Sequence, residues 1–186
     1  MPPANLAAEL LTVDDYRATP EGKRYQLIEG ELYAMSPSPR YTHQVIAWNL
    51  VGLFSRYLER QPVGRAFMAP FDVYLSENDV VQPDVFFVAN DRLKSVQEDG
   101  VHGAPDLVIE ILSPSTAQLD KKQKRRIYAR AGVKELWVVD PLLLQIQRYD
   151  FARDTAKPVQ LLEEDETFST PLLPGLTLAA AEIFKR

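Results

Sequence analysis

In a chain of 186 residues without cysteine, the residues best placed to do chemistry are carboxylates. Asp84 follows Gln82-Pro83 at the head of the apolar run Val85-Phe86-Phe87-Val88, and Glu110 lies inside Leu107-Val108-Ile109-Glu110-Ile111-Leu112. An ionised carboxylate in an apolar strand costs on the order of several kcal/mol in lost hydration unless something cationic compensates it. Two further acids, Asp72 and Asp106, also fall in or beside strand-like segments. Carboxylates converging from adjacent strands repel one another unless a divalent cation joins them. With no thiolates, a metal must be held by carboxylate, carbonyl, imidazole or water, which favours a hard cation, Mg²⁺ or Mn²⁺. The structural alternatives are a buried salt bridge or a water-facing edge strand for Glu110, and a turn or cap role for Asp84 after its proline.

A cation is at hand in Asp120-Lys121-Lys122-Gln123-Lys124-Arg125-Arg126-Ile127-Tyr128. At about 100° per residue, Asp120, Lys124 and Tyr128 share a side with Ile127 and Ala131, the apolar stripe that must meet the sheet. Lys124 is therefore the lysine directed inward, unless it only forms an i,i+4 pair with Asp120. Lys122, Arg126 and Arg130 point the other way, with Lys121 and Arg125 beside them. This basic stripe is the candidate phosphate-backbone contact, and its alternative is a solvated helix face. His43, near the start of a long helix, is a candidate proton carrier or ligand, or else a surface or capping residue. No G-x-S-x-G elbow and no glycine-rich phosphate loop occurs, so serine hydrolase and P-loop chemistry receive no support.

These residues need a framework. Thr12 can cap a short helix with an acidic first turn. Tyr25 to Ile28 and Leu32 to Met35 flank Glu29-Gly30-Glu31 as a hairpin. Val45, Ile46, Leu50, Phe54 and Leu58 recur at helical spacing from Thr42 to about Arg60. Phe71 to Leu75, Asp84 to Val88 and Leu107 to Leu112 read as strands at the sheet centre. Asn90 to Glu98 reads equally as a helical turn or a loop. Ser115 or Thr116 can cap the basic helix, which Gly132 ends after Ala131. Glu135 to Val139 supplies another core strand, and Leu144 to Tyr149 and Val159 to Leu162 add to it antiparallel. A small looped element closes the chain. The expectation is one domain over residues 1–186 with a mixed sheet.

Composition narrows the class. The 46% apolar and 25% charged fractions are those of a globular protein. No apolar run reaches the roughly 20 residues that span a bilayer, and the Met1-Pro2-Pro3-Ala4 start lacks signal-peptide character, which points away from the membrane and to the cytoplasm. A net charge of -5 speaks against whole-surface attraction to nucleic acid, so contact with DNA must be local.

Pro83-Asp84, Pro105-Asp106-Leu107-Val108-Ile109-Glu110 with Leu112-Ser113-Pro114-Ser115, and the Asp120, Lys124, Tyr128 helix running into Gly132 to Pro141 together resemble the Uma-type family. That family, long a domain of unknown function, is grouped with restriction endonucleases in the PD-(D/E)XK nuclease-like superfamily. The resemblance runs from about Leu11 to the C-terminus. It implies an α/β (α+β) restriction-endonuclease-like fold, a mixed central sheet flanked by helices with an N-terminal helix and hairpin. It further implies Asp84 and Glu110 as metal ligands. Leu112 stands where E-x-K spacing would place a lysine, and the family pattern assigns that role to Lys124. His43 matches a recurring family position, and Gln26 stands where relatives often carry glutamate. The expected activity is Mg²⁺- or Mn²⁺-dependent hydrolysis of DNA phosphodiesters. Asp84, Glu110 and the Ile111 carbonyl hold metal, Lys124 orients water or neutralises charge on phosphorus, and a homodimer is an allowed assembly. The alternative is a nuclease-fold module that binds nucleic acid or protein with little or no catalysis.

Overall fold

The computed structural model describes residues 10–20, 22–35, 40–113 and 119–186, with the backbone alone for 119–121. Helix α1 (Val13–Arg17) begins where Thr12 predicts it: Asp15 accepts from the Thr12 N–H at 2.8 Å and from its hydroxyl at 2.9 Å. Strands β1 (Tyr25–Ile28) and β2 (Glu31–Ala34) form the hairpin, turning through Glu29 and Gly30 at φ 51° and 77°. Positive φ at both central residues is the turn geometry that matches strand twist, and Gly30 adopts it without a Cβ penalty. Helix α2 (Tyr41–Arg60) follows, burying Ile46, Ala47, Leu50, Leu53, Phe54 and Tyr57 along one stripe.

The remaining strands are β3 (Gly64–Met68), β4 (Val73–Ser76), β5 (Asp79–Val81), β6 (Val85–Ala89), β7 (Val96–Gln97), β8 (Gly100–His102) and β9 (Leu107–Ile111), with a 3-10 segment at Asn90–Ser95. A π-helical turn at Leu119–Lys124 runs into α3 (Arg125–Ala131), then come β10 (Glu135–Asp140), β11 (Gln145–Asp150), β12 (Gln160–Leu162), β13 (Thr167–Ser169), β14 (Thr177–Ala179) and α4 (Ala180–Phe184). Gly132 ends α3 in the left-handed region at φ 92°, the C-cap conformation that glycine tolerates best. The proposed caps Ser115 and Thr116 lie outside the described residues.

The strands form two six-stranded sheets rather than the single one expected from sequence. The first runs β12-β11-β10-β9-β6-β3 and the second β2-β1-β5-β4-β8-β7, with β13 and β14 as a separate pair. Phe71 to Leu75 was expected at the centre beside the other two core strands, yet β4 belongs to the second sheet. Both sheets are mixed: β9 and β10 are parallel, joined by the π turn and α3, while β9 runs antiparallel to β6. Parallel neighbours need such a crossover, so the basic helix is held over the face of the strand bearing Glu110. Alternate residues of the first sheet enter different cores. Val85, Phe87, Leu107 and Ile109 pack against α2 and α4, whereas Phe86, Val88 and Val108 pack against the second sheet, Ile127 and Tyr128. The result is an α+β architecture in which the sheet carrying both acids is covered on each face.

Candidate active site

Asp84 precedes β6, and the register Val85↔Ile109 continued by one residue places it opposite Glu110 of β9. In antiparallel strands, residues directly opposite point to the same face, with Cβ atoms about 5 Å apart. The Asp84 carbonyl accepts from Ala69 N–H on the β3 side, and Asp84 Oδ2 accepts from the Ile111 N–H at 2.7 Å. The side chain of Asp84 thus takes over the ladder partner that β6 no longer supplies to β9. An extended residue directs its N–H and C=O to one side, so the Ile111 carbonyl also lies on the side of Asp84.

Glu110 is buried, as are its two partners. Lys124 Nζ lies 3.1 Å from Glu110 Oε1, with the lysine only 3% exposed, and the Tyr128 hydroxyl donates to the same oxygen at 2.5 Å. The buried salt bridge and the inward lysine, alternatives in the sequence, are one contact in the structure. It satisfies the rule that a buried charge must be both paired and hydrogen-bonded. From the other core, α2 directs His43 into the group: its Nε2 lies 3.1 Å from Asp84 Oδ1. Asp84, Glu110, Lys124, Tyr128, His43 and the Ile111 main chain therefore converge at one end of the sheet.

Other candidates go elsewhere. Asp106 opens β9 about 13 Å from Glu110 along the strand, where it accepts from Ala89 N–H at 2.8 Å and pairs with Arg92 at 3.2 Å and Lys134 at 2.7 Å. Burial alone would raise its pKa; the Ala89 N–H with Lys134 and Arg92 outweighs that and holds it below the ordinary aspartate value. Asp106 is thus a strand-end clamp rather than a member of the acidic pair. Asp72 is enclosed by Tyr16 at 3.0 Å, Gln82 at 2.7 Å and the Tyr74 hydroxyl at 3.4 Å, beside the second sheet. Burial, and then the Asp72 charge, push the Tyr16 hydroxyl well above its usual pKa. Neither acid shares a partner with Glu110 among the described residues. Gln26 is buried and its side-chain oxygen faces the Gln82 N–H at 3.4 Å.

The basic stripe is only partly open. Lys122 is exposed, but Arg126 pairs with Glu29 at 3.0 Å and Arg130 with Asp79 at 2.9 Å and Glu29 at 3.5 Å. Arg125 donates to the Ala156 carbonyl at 2.6 Å and lies over the Tyr149 ring. These guanidinium groups fasten α3 to the hairpin, the second sheet and the Ala156 loop, and phosphate would have to compete for them. The side chains of Asp120 and Lys121 lie outside the described residues. Sequence reasoning overlooked Asp79 as the partner of Arg130; an acid beside Val80-Val81 was the available signal. It also missed the bond from Ile111 N–H to Asp84, which only the register reveals.

The sequence profile of the Uma2 family, described as "Putative restriction endonuclease", matches residues 13–181. The chain belongs to the Uma2 family. A crystal structure from Anabaena variabilis, described as "a putative nuclease belonging to DUF820", shares the fold with a TM-score of 0.75. The two chains are 23% identical, and the match covers 94% of this chain and 97% of the other. No curated protein gives a match. The Uma2 match spans all the converging residues, and E-x-K spacing is absent because Leu112, a buried core residue, occupies the lysine position.

Proposed function

We propose that this Uma2 protein is a divalent-metal-dependent endonuclease that hydrolyses DNA phosphodiester bonds, with Asp84 and Glu110 as metal ligands and Lys124 as the catalytic amine. The observation that carries the reading is the convergence of Lys124 with opposed carboxylates at a strand end, where E-x-K spacing supplies no lysine. The donors suit a hard cation: two carboxylates and the Ile111 carbonyl, all oxygen. Mg²⁺ commonly takes one or two carboxylates and completes its shell with water. Among the described residues no group of three or more His, Asp or Glu side chains gathers to hold an ion, so the main-chain oxygen and water are needed. When bound, Mg²⁺ or Mn²⁺ would supply Lewis-acid polarisation of the phosphate and acidification of water.

The chain's own residues have separable tasks. Asp84 is oriented at both oxygens, by the Ile111 N–H and by His43, which fixes its carboxylate before substrate arrives. Tyr128 and Lys124 hold Glu110 from the sheet face. A lysine ammonium there can also orient the attacking water or neutralise charge growing on phosphorus. His43 is a positioning residue for Asp84.

Plasmid cleavage in Mg²⁺ and in Mn²⁺ tests the assignment. Wild type should nick or linearise DNA, EDTA should abolish the activity, and Asp84→Ala and Lys124→Ala should each reduce it by about a hundredfold or more. Equal activity in all three proteins would sink it. The second reading is a nuclease-fold binding module in which Glu110 and Lys124 only specify the core. The buried Glu110–Lys124 pair favours it, because that contact is complete without metal. Retention of DNA in a gel shift with EDTA, together with no calorimetric Mg²⁺ or Mn²⁺ binding, would decide for the module.

A further inference from the structure

The hairpin turn keeps a glutamate where its backbone suits another residue. Glu29 sits at φ 51°, a left-handed conformation that asparagine and glycine adopt at less cost, and Asn-Gly is the preferred pair for such a two-residue turn. Its side chain leaves the hairpin for α3, reaching Arg126 at 3.0 Å and Arg130 at 3.5 Å. Buried Asp79 joins the same two elements: Oδ1 accepts from the Glu29 N–H at 2.8 Å, and Oδ2 accepts from Arg130 at 2.9 Å and from the Ser76 hydroxyl at 2.7 Å. The Arg126 and Arg130 side chains are 61% and 58% exposed, and ion pairs so open to water add little to stability. The worth of the Glu29 side chain therefore lies in where it holds the helix.

Helix α3 needs such a hold. It has seven residues, below the roughly 12 at which a helix is even marginally stable alone. It also follows a π turn whose last residue is Lys124, so no regular α ladder fixes it from its N-terminal side. Lys124 and Tyr128 lie one turn apart on the side that meets Glu110, and Arg126 and Arg130 lie one turn apart about 160° round the axis. The helix is thus held between Glu110 of the first sheet and, from the second, Glu29 of the hairpin turn with Asp79 of β5. We propose that Glu29 is a positioning residue: through Arg126 and Arg130 it sets the register of α3 along the first sheet, and so places the Lys124 ammonium 3.1 Å from Glu110 Oε1. The inference rests on the nuclease reading for the task of Lys124, and it extends that site to the hairpin of the other sheet.

Glu29→Asn in the full-length protein tests it, because asparagine suits the turn, keeps the backbone N–H for Asp79 and removes the carboxylate. Its melting temperature should match or exceed that of wild type. Its kcat for Mg²⁺-dependent plasmid cleavage should fall by roughly ten- to hundredfold at unchanged KM. Glu29→Gln, whose amide oxygen has the same reach to Arg126, should keep most of the rate. In the metal-free protein, lysine labelling by an N-hydroxysuccinimide ester reports the same displacement. Lys124, 3% exposed in wild type, should react several times faster in Glu29→Asn relative to the other lysines. The proposal is overturned if Glu29→Asn cleaves at the wild-type rate, or if KM rises while kcat holds, which would make Glu29 part of the DNA contact. It is also overturned if the melting temperature falls along with the rate, which would make Glu29 a residue of stability alone. Should wild type cleave no DNA, the nuclease reading fails and labelling alone decides the brace: faster reaction of Lys124 in Glu29→Asn supports it, and an equal rate overturns it.

Discussion

Lys124 and Glu110 neutralise each other in a place almost closed to water, and that makes the pair sensitive to the loss of either partner. Lys124→Ala removes the buried cation held 3.1 Å from Glu110 Oε1, which should destabilise the metal-free protein by about 3–5 kcal/mol in urea titration. The double variant Glu110→Gln with Lys124→Met should recover much of that loss, because neutral groups carry no uncompensated charge. Additive destabilisation in the double variant would show that the two side chains act on separate parts of the core. Glu110 and Lys124 were legible because each breaks a pattern: an acid in an apolar strand, and a lysine on the apolar side of a basic helix. The joint anchoring of Asp84 by Ile111 and His43 was not, since β6, β9 and α2 are distant in sequence and no local periodicity records their register.

At the level of elements, the start of β9 depends on Asp106, whose carboxylate joins Ala89, Arg92 and Lys134. Its folded pKa is depressed, so its contribution is fully present above the unfolded aspartate value, near 3.9, and is lost as pH falls through the lower folded value. Urea midpoints measured from neutral to acid pH should therefore show a steeper acid limb for wild type than for Asp106→Asn. Parallel curves would remove Asp106 from the acid response. Strand β3 offers a steric test: a Cβ on Gly64 would lie 2.3 Å from the Val88 carbonyl oxygen and 2.6 Å from the Phe87 ring. Gly64→Ala should cost about 1–3 kcal/mol by forcing β3 from β6, and an unchanged melting temperature would show that the edge yields freely. Long periodic elements such as α2 and β10 could be read from sequence. Strand β3 could not, because Gly-Arg-Ala-Phe-Met has neither alternation nor β-branched residues. The second sheet escaped because β5, β7 and β8 are two or three residues long and acquire strand character only by pairing.

Over the whole molecule, the closing segment is tied to the first sheet by a buried polar junction. Glu135 accepts from Arg148 at 2.7 Å and 3.0 Å, from the Thr170 hydroxyl at 2.7 Å and from the Trp137 indole at 3.2 Å. Arg148→Ala should strand this carboxylate and cost about 3–5 kcal/mol, with increased protease cleavage near Thr170; unaltered proteolysis would mean that apolar packing alone holds the segment. The two halves of the candidate site differ in how far the chain must travel to build them. Glu110 meets Lys124 and Tyr128 at separations of 14 and 18 residues, within one strand–helix–strand passage. Asp84 meets Ile111 across 27 residues, an interval that includes two strands of the other sheet, and His43 comes from farther still. Loop-closure entropy rises with such intervals. The lysine–glutamate half can assemble locally while the aspartate half awaits long-range pairing, so an incompletely folded chain lacks one of the two acids of the candidate site, and on the proposed function it would be held back from premature cleavage.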